Sequence, residues 1–342
     1  MPQINKPNQY FNTKLYTGNG NSSHAITGVG FQPDWVWIKD RDSAVNHLLH
    51  DSIRGVTNLL VSNTTAGDDV NTNILKSFDT DGFTVGSNSA SNGSSTEFAS
   101  WNWLASNTTA SNTDGSITST VSANTTSGFS IVSYTGTGSV STIGHGLGST
   151  PACIIIRNRI DVTSWVVYHK ILTGTSSLGL DTTNTTNTGI GVFNNTDPTS
   201  SVFTVGTANG TNGSGDSMIA YCFAEKKGFS KFGSYTGNGS TDGTFVYTGF
   251  KPAWIMVKRT DSTNDWMMFD NKRDSFNTAQ KYLRANVSNA EGGSNDYVDF
   301  VSNGIKFRRN GLDVNGSGAS YIYMCFAESP LVGTNNIPAT AR

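Results

Sequence analysis

Along Trp35–Lys39 both alternating sets of side chains are apolar: Trp35 and Trp37 form one set, Val36 and Ile38 the other. Successive side chains on a strand point to opposite faces. A strand that is apolar on both is therefore covered on both, and here the cover is predicted to last until Lys39. The pattern comes three times. Pro33 introduces it in FQPDWVWIKDR, Pro151 in LGSTPACIIIRNR and Pro252 in FKPAWIMVKR. A Tyr-Thr-Gly-x-Gly stretch begins 17 residues before each proline, at Tyr16, Tyr134 and Tyr235, and a basic residue follows 6 residues after it, at Lys39, Arg157 and Lys258. A repeat in register through its turn, its proline and its charge marks three versions of one module.

The rest of each repeat reads as short strands between polar turns. YTGNG is a strand running into a Gly/Asn turn, and proline is tolerated at the first position of the next strand. A polar turn over 40–46 leads into HLLHDSI, which predicts a hairpin. Leu59 to Val61 and Ile74 to Phe78 are further strands, DTDG is a turn ahead of FTVG, and Glu97 to Trp103 closes the repeat. The closing strands correspond as Trp101-Asn102-Trp103, Tyr221-Cys222-Phe223 and Met324-Cys325-Phe326. Roughly seven or eight strands in about 100 residues is a β-sandwich count. No stretch predicts an amphipathic helix.

The expected fold is all-β, with three tandem antiparallel β-sandwich modules of the jelly-roll or lectin-like kind. The expected organisation is an extended N-terminal arm over 1–9, repeat one over 10–106, a linker over 107–114, repeat two over 115–226, repeat three over 227–328 and an extended tail over 329–342.

Composition narrows the class. Of 342 residues only 14 % are charged, glycine numbers 37 and net charge is −2. No basic footprint for nucleic acid or an anionic membrane is present, and no apolar run predicts membrane insertion or a secretory signal. Cys153, Cys222 and Cys325 are odd in number and sit in apolar strand-like runs, so buried free thiols and maturation in a reducing compartment are expected.

The candidate chemistry is thin. His47 and His50, with Asp51 beside them, resemble a two-histidine metal site, but positions three apart on a strand face opposite sides. At 14 residues past each proline stand His47, Trp165 and Trp266, and at 17 stand His50, Tyr168 and Phe269, so the histidines occupy aromatic slots. Asp79 to Gly82 resembles the start of a calcium loop but lacks the late bidentate acid. Repeat three has FVSNGIKF in the same place, so a hairpin turn is expected. There is no nucleophile elbow, phosphate loop or zinc helix signature, and no acid pair recurs. The expectation is no catalytic residue, no cofactor and no metal; ligand-binding residues are not assigned. Lys39, Arg157 and Lys258 read either as strand-end cations with packed stems and hydrated heads or as three contacts to an acidic partner. Trp35, Trp37, Trp254 and Trp266 have core-like patterning, which leaves at most a minority of tryptophans for saccharide stacking.

The phrases FNTKLYTGNG, GVGFQPDWVWIKDR, HLLHDSIRG, SFDTDGFTVGSN, YCFAE, FSKFGSYTGNG and CFAESP with the closing ATAR resemble the repeat domain of tailed-phage structural proteins, common in marine phages and described as tail-fibre-like or as uncharacterised virion proteins. The resemblance covers about Phe11 to Arg342. It implies a non-enzymatic virion protein on the particle exterior, assembled in the host bacterial cytoplasm. Its implied role is tail-fibre-type, in host-surface attachment. Implied partners are other virion proteins and a host cell-surface glycan, and fibres of this kind are commonly homo-oligomers, often trimers. The chain departs from a long fibre in having no heptads and no shaft-like repeat. Capsid decoration or a head fibre, held by the terminal arms, is therefore the alternative, and a glycan-cleaving tail enzyme the third reading.

Overall fold

The computed structural model describes residues 3–327; the expected tail over 329–342 lies outside them. The fold is all-β and antiparallel, with three large sheets and three small ones. Each repeat supplies one of each. The large sheets share one strand order. An opening strand (Phe11–Thr17, Phe129–Thr135 or Ser230–Thr236) pairs with the closing strand (Glu97–Trp103, Ser217–Phe223 or Ser320–Phe326). The closing strand then pairs with the proline strand (Trp35–Asp40, Cys153–Asn158 or Trp254–Arg259), and that with a hairpin strand (Leu48–Asp51, Val166–His169 or Trp266–Asp270). The small sheets are built from His24–Thr27, Leu75–Asp79 and Gly82–Val85; from Ser141–Gly144 and Val202–Val205; and from Phe245–Tyr247, Val298–Val301 and Gly304–Phe307.

Period-2 burial divides each proline strand between two cores. Val36 and Ile38, Ile154 and Ile156, and Ile255 and Val257 face their own repeat's small sheet. The alternate positions, Trp35 and Trp37, Cys153 and Ile155, and Trp254 and Met256, all enter one cluster common to the three repeats. The expectation of cover on both faces holds, but the second cover is the other two repeats. The large sheets thus stand around a shared axis. On that axis Trp103, Phe223 and Phe326, equivalent positions of the three closing strands, meet pairwise at ring centroid distances of 6.4, 5.7 and 5.8 Å.

All seven tryptophans lie in this common core, none more than 3 % exposed. Each removes roughly 200 Å² from water, about 5 kcal/mol at 25 cal/mol/Å². No minority is left at the surface for stacking on a sugar. The three cysteines are buried and unpaired.

Two boundaries differ from expectation. The stretch 107–114 is no free linker, because Ala110–Asn112 pairs with Ser119–Asn124 and widens the second large sheet to eight strands. The arm is not a free extension either. Gln3 and Lys227 exchange two hydrogen bonds, Ile4 is 3 % exposed within the common core, and Pro7–Gln9 forms a short 3-10 turn. The apolar residue at position 4 packs into the common core, which proline content alone could not reveal.

Candidate functional site

The three repeats meet head to tail in three seams, and the same positions build each seam. Eight residues past the proline, the carbonyls of Arg41, Arg159 and Thr260 accept from the amides of Glu291, Asp68 and Thr186 respectively, each from another repeat. Six residues later, in the aromatic-slot series, the side chain at 14 past the proline donates across the same seam. Trp165 Nε1 donates to Val61 O at 2.9 Å, Trp266 Nε1 to Gly179 O at 2.8 Å, and His47 Nε2 to Arg284 O at 3.0 Å. Repeat two grips one, three grips two, and one grips three. The ring is closed, as a heterologous contact with threefold rotation must be.

His47 reproduces the indole's geometry with an imidazole. Trp37 Nε1–H donates to its Nδ1 at 2.8 Å, so the proton sits on Nε2, facing Arg284 O. Burial, with the Lys39 charge nearby, holds its pKa well below the usual histidine range. His50 lies on the Leu48–Asp51 strand opposite Val36, and burial next to Arg54 lowers it to about 3. The two histidines do not converge, and among the described residues no group of three or more His, Cys, Asp or Glu is placed to hold a metal ion.

Lys39, Arg157 and Lys258 are each fully buried, which corrects the expectation of hydrated heads. Their heads bond to backbone carbonyls. Lys258 reaches Thr183 of repeat two at 3.1 Å and Arg259 O at 2.9 Å; Arg157 reaches Thr163, and Thr65 and Ala66 of repeat one; Lys39 reaches Asp40 and Ser43. Burial lowers the two lysines to about 8 and Arg157 to about 10. Carbonyl dipoles supply what water would otherwise provide.

Two of the seams carry a buried charge network at matching positions. In one, Asp51 and Arg54 of repeat one pair with no side-chain exposure, Arg54 also reaches Asp68, Asp68 meets Arg159 of repeat two at 2.6 Å, and Tyr221 donates to Asp51 at 2.7 Å. In the other, Asp270 and Arg273 of repeat three pair at 2.6 Å, Arg273 reaches Glu291, Glu291 meets Arg41 of repeat one at 2.9 Å, and Trp101 donates to Asp270 at 3.2 Å. Burial opposes the Glu291 carboxylate, yet its bonds to Arg41 and the charge of Arg273 outweigh this and leave its pKa lowered. In the third seam the equivalent residues are His169, Leu172, Thr186 and Thr260, and His169 Nε2 donates to Tyr323 O at 3.2 Å. Every charge has changed to a neutral group together, as the cost of a half-removed buried pair demands.

A second repeated device lies at the other end of the opening strands. Asn92, Asn212 and Asn315 are almost wholly buried; their Oδ1 atoms accept from the amides of Asn19, Thr137 and Asn238, and their backbone carbonyls accept from Gly20, Gly138 and Gly239. The hydroxyls of Tyr16, Tyr134 and Tyr235 donate to the carbonyl preceding each asparagine. The glycines of YTGxG now have reasons. A Cβ on Gly18, Gly136 or Gly237 would stand about 2.1–2.2 Å from the carbonyl oxygen of Gly93, Gly213 or Gly316, and the second glycine takes φ of 66 to 71°. The asparagines escaped the sequence reading, although Asn-Gly-Ser recurs ahead of each closing strand and is their signal.

Asp79 to Gly82 is a hairpin turn, with Asp81 accepting from Gly28 and Gly30 at 2.9 and 2.7 Å. Those bonds lower its pKa. Two surface grooves are shaped differently. One of about 600 Å³ is lined by Asn8, Asn12, Thr13, Lys14, Gly28 and Lys272, among others; the other, of about 480 Å³, by Thr241, Asn295, Asp296, Arg308, Arg309 and Asn310. Among the described residues the strongly exposed aromatics are Phe245, Tyr247 and Phe276, all in repeat three; Phe245 and Tyr247 point outward from one small-sheet strand.

No curated protein matches this chain. A family model matches residues 6–330, taking all three repeats as one unit, in keeping with their common core. The chain belongs to that family, described as a domain of unknown function (DUF7483).

Proposed function

We propose that this chain is a non-enzymatic structural protein of a tailed-phage virion, displayed on the particle exterior as a tail-fibre-type component that contacts the host surface. The observation that carries the reading is the pair Phe245 and Tyr247, 46 and 64 % exposed, on a body whose tryptophans all point inward. Exposed aromatics two apart on one face of a strand suit stacking against a sugar ring. The sequence resemblance to tailed-phage virion proteins supplies the biological setting.

Two alternatives lose ground. A glycan-cleaving enzyme needs two acids roughly 5 to 10 Å apart in a cleft. The 600 Å³ groove has no acid in its lining, and the 480 Å³ groove has Asp296 alone. Capsid decoration through the terminal arms loses its first arm, because residues 3–9 pack on the chain itself.

The test is antibody labelling of intact virions against repeat two, joined to binding of the free protein to host-cell polysaccharide. Label at the tail, with polysaccharide binding that falls at least tenfold in the double variant Phe245→Ala and Tyr247→Ala, is the expected result. Label spread over the head would overturn the tail-fibre reading.

A further inference from the structure

We infer that the outward face of the Phe245–Tyr247 sheet binds an uncharged pyranose, whose apolar face rests on Phe245 and whose adjacent hydroxyls bridge Asp242 and Lys306. The inference rests on the sugar-contact reading of the same aromatics and names the class of sugar.

Register puts the side chains in one row. Phe245 stands opposite Lys306 and Lys306 opposite Asp299 across the three strands, and directly paired residues share a face. Tyr247 stands opposite Gly304 in the next row. Val246 turns the other way, into the repeat's own core. The Phe245 ring reaches over Gly304, where a Cβ would come within 2.9 and 3.0 Å of two ring atoms, and the residue stays 46 % exposed.

The fold does not ask for these side chains. At the matching pairs repeat one has Ala25 opposite Thr84 and Thr27 opposite Gly82, and repeat two has Thr142 opposite Thr204 and Gly144 opposite Val202. The buried members, Ile26, Ile143 and Val246, are apolar in all three. At these positions only repeat three carries aromatic and charged side chains, so packing does not account for them.

The charges favour a neutral ligand. Lys306 Nζ meets Asp242 Oδ1 at 2.8 Å, and Arg308 meets the same oxygen at 3.4 Å and Asp299 Oδ2 at 2.6 Å. The Asp242 side chain is 80 % exposed, and its bond to Lys306 lowers its pKa, which keeps it ionised. Its Oδ2 accepts nothing among the described residues. Asp299 Oδ1, in a residue 7 % exposed, is likewise without a hydrogen-bond partner. The row thus has more acceptors than its own cations fill, which suits a ligand that brings hydroxyl donors. The 480 Å³ groove continues from Arg308, and there Arg309 pairs with Asp313 while Asp296 accepts from Gln280. Every cation of the row and of the groove lining is held by an acid, so an anionic sugar finds no free positive charge. A cationic sugar would have to share Asp242 with Lys306 and Arg308. An aromatic face beside a charge-assisted donor and acceptor fits an uncharged ring.

The probes are the methyl glycosides of D-glucose, D-galactose and D-mannose, with methyl glucuronide and glucosamine as charged counterparts. Each is titrated onto the full chain and read by saturation-transfer NMR. The expected result is saturable binding of at least one neutral glycoside, with the charged sugars about tenfold weaker or more. Asp242→Asn and Lys306→Gln should each weaken that binding by about tenfold. Phe245→Thr, which gives the residue type of repeat two, should abolish it. All three side chains point outward, so urea midpoints should match the parent and a loss of binding is not a loss of fold. No binding of any neutral glycoside would overturn the inference. So would binding that survives both charge variants, or a preference for the glucuronide or for glucosamine; the aromatic sugar contact would then still stand. That contact fails separately, if binding of host polysaccharide is indifferent to the double variant Phe245→Ala and Tyr247→Ala.

Discussion

His169 and His50 show how a single buried ring ties stability to pH. Burial leads the causes that depress His169 to about 4 and His50 to about 3. The unfolded chain, with histidines near pH 6.5, takes up protons before the folded one. The histidine contribution to stability is therefore full above about pH 6.5 and falls as pH drops through the window down to about 4, approaching about 1.4 kcal/mol per pH unit for each histidine. Asp34 and Asp181, pushed up by burial, act in the opposite sense at the acid end of that window, so the histidine slope is read between about pH 7 and 5. Urea midpoints are expected to decline steadily over that interval, and less steeply in His169→Gln; a flat profile would contradict neutral buried rings. Of the buried histidines, His47 and His50 were legible as aromatic-slot residues from spacing alone. Their tautomers were not, because the partner of His47 Nε2 lies 237 residues away.

At the scale of elements, the proline strands were readable almost residue by residue, since alternation names the faces and the repeat names the register. The seams they build were not. Two seams hold a four-group charge network and one holds none, and this difference sets how each responds to substitution. Glu291 bridges Arg41 and Arg273 with 10 % of its side chain exposed. Replacing it by glutamine leaves two guanidinium groups short of their counter-charge, and a loss of about 3 kcal/mol in unfolding free energy is expected. Thr186→Val, at the equivalent place in the neutral seam, is expected to stay within about 0.5 kcal/mol. Chemical denaturation of the two variants against the parent checks the contrast; equal losses would mean that the network contributes nothing beyond packing. Lys39, Arg157 and Lys258 misled for a related reason. A cation at a strand end reads as hydrated unless the carbonyls that receive it are known, and for Arg157 and Lys258 those come partly from another repeat.

At the scale of the molecule, three repeats in sequence are one body in space. Each has an outer core of its own, but the tryptophans, the axis residues and residue 4 of the arm belong to a cluster that no repeat can form alone. Unfolding one repeat exposes the inner faces of the other two. A single cooperative transition is therefore expected for the whole chain, with calorimetric and van't Hoff enthalpies equal. Three resolved transitions in scanning calorimetry would show that the outer cores suffice.

What the sequence by itself determined was local and periodic. It set the strands, the tyrosine-to-proline spacing, the two-sided burial of Trp35 to Ile38 and the aromatic slots of His47 and His50, because period-2 alternation and in-register repetition are properties of neighbours along the chain. Only the tertiary structure decided what covers each apolar face and which carbonyl meets each buried cation. It also decided that Ile4 of the arm packs into the common core and that Ser119–Asn124 pairs along the outer edge of Phe129–Thr135. Alternation states that a face is covered and is silent about the cover; closure of the ring depends on groups 90 to 250 residues apart, as in Arg157 with Thr65 and Arg41 with Glu291.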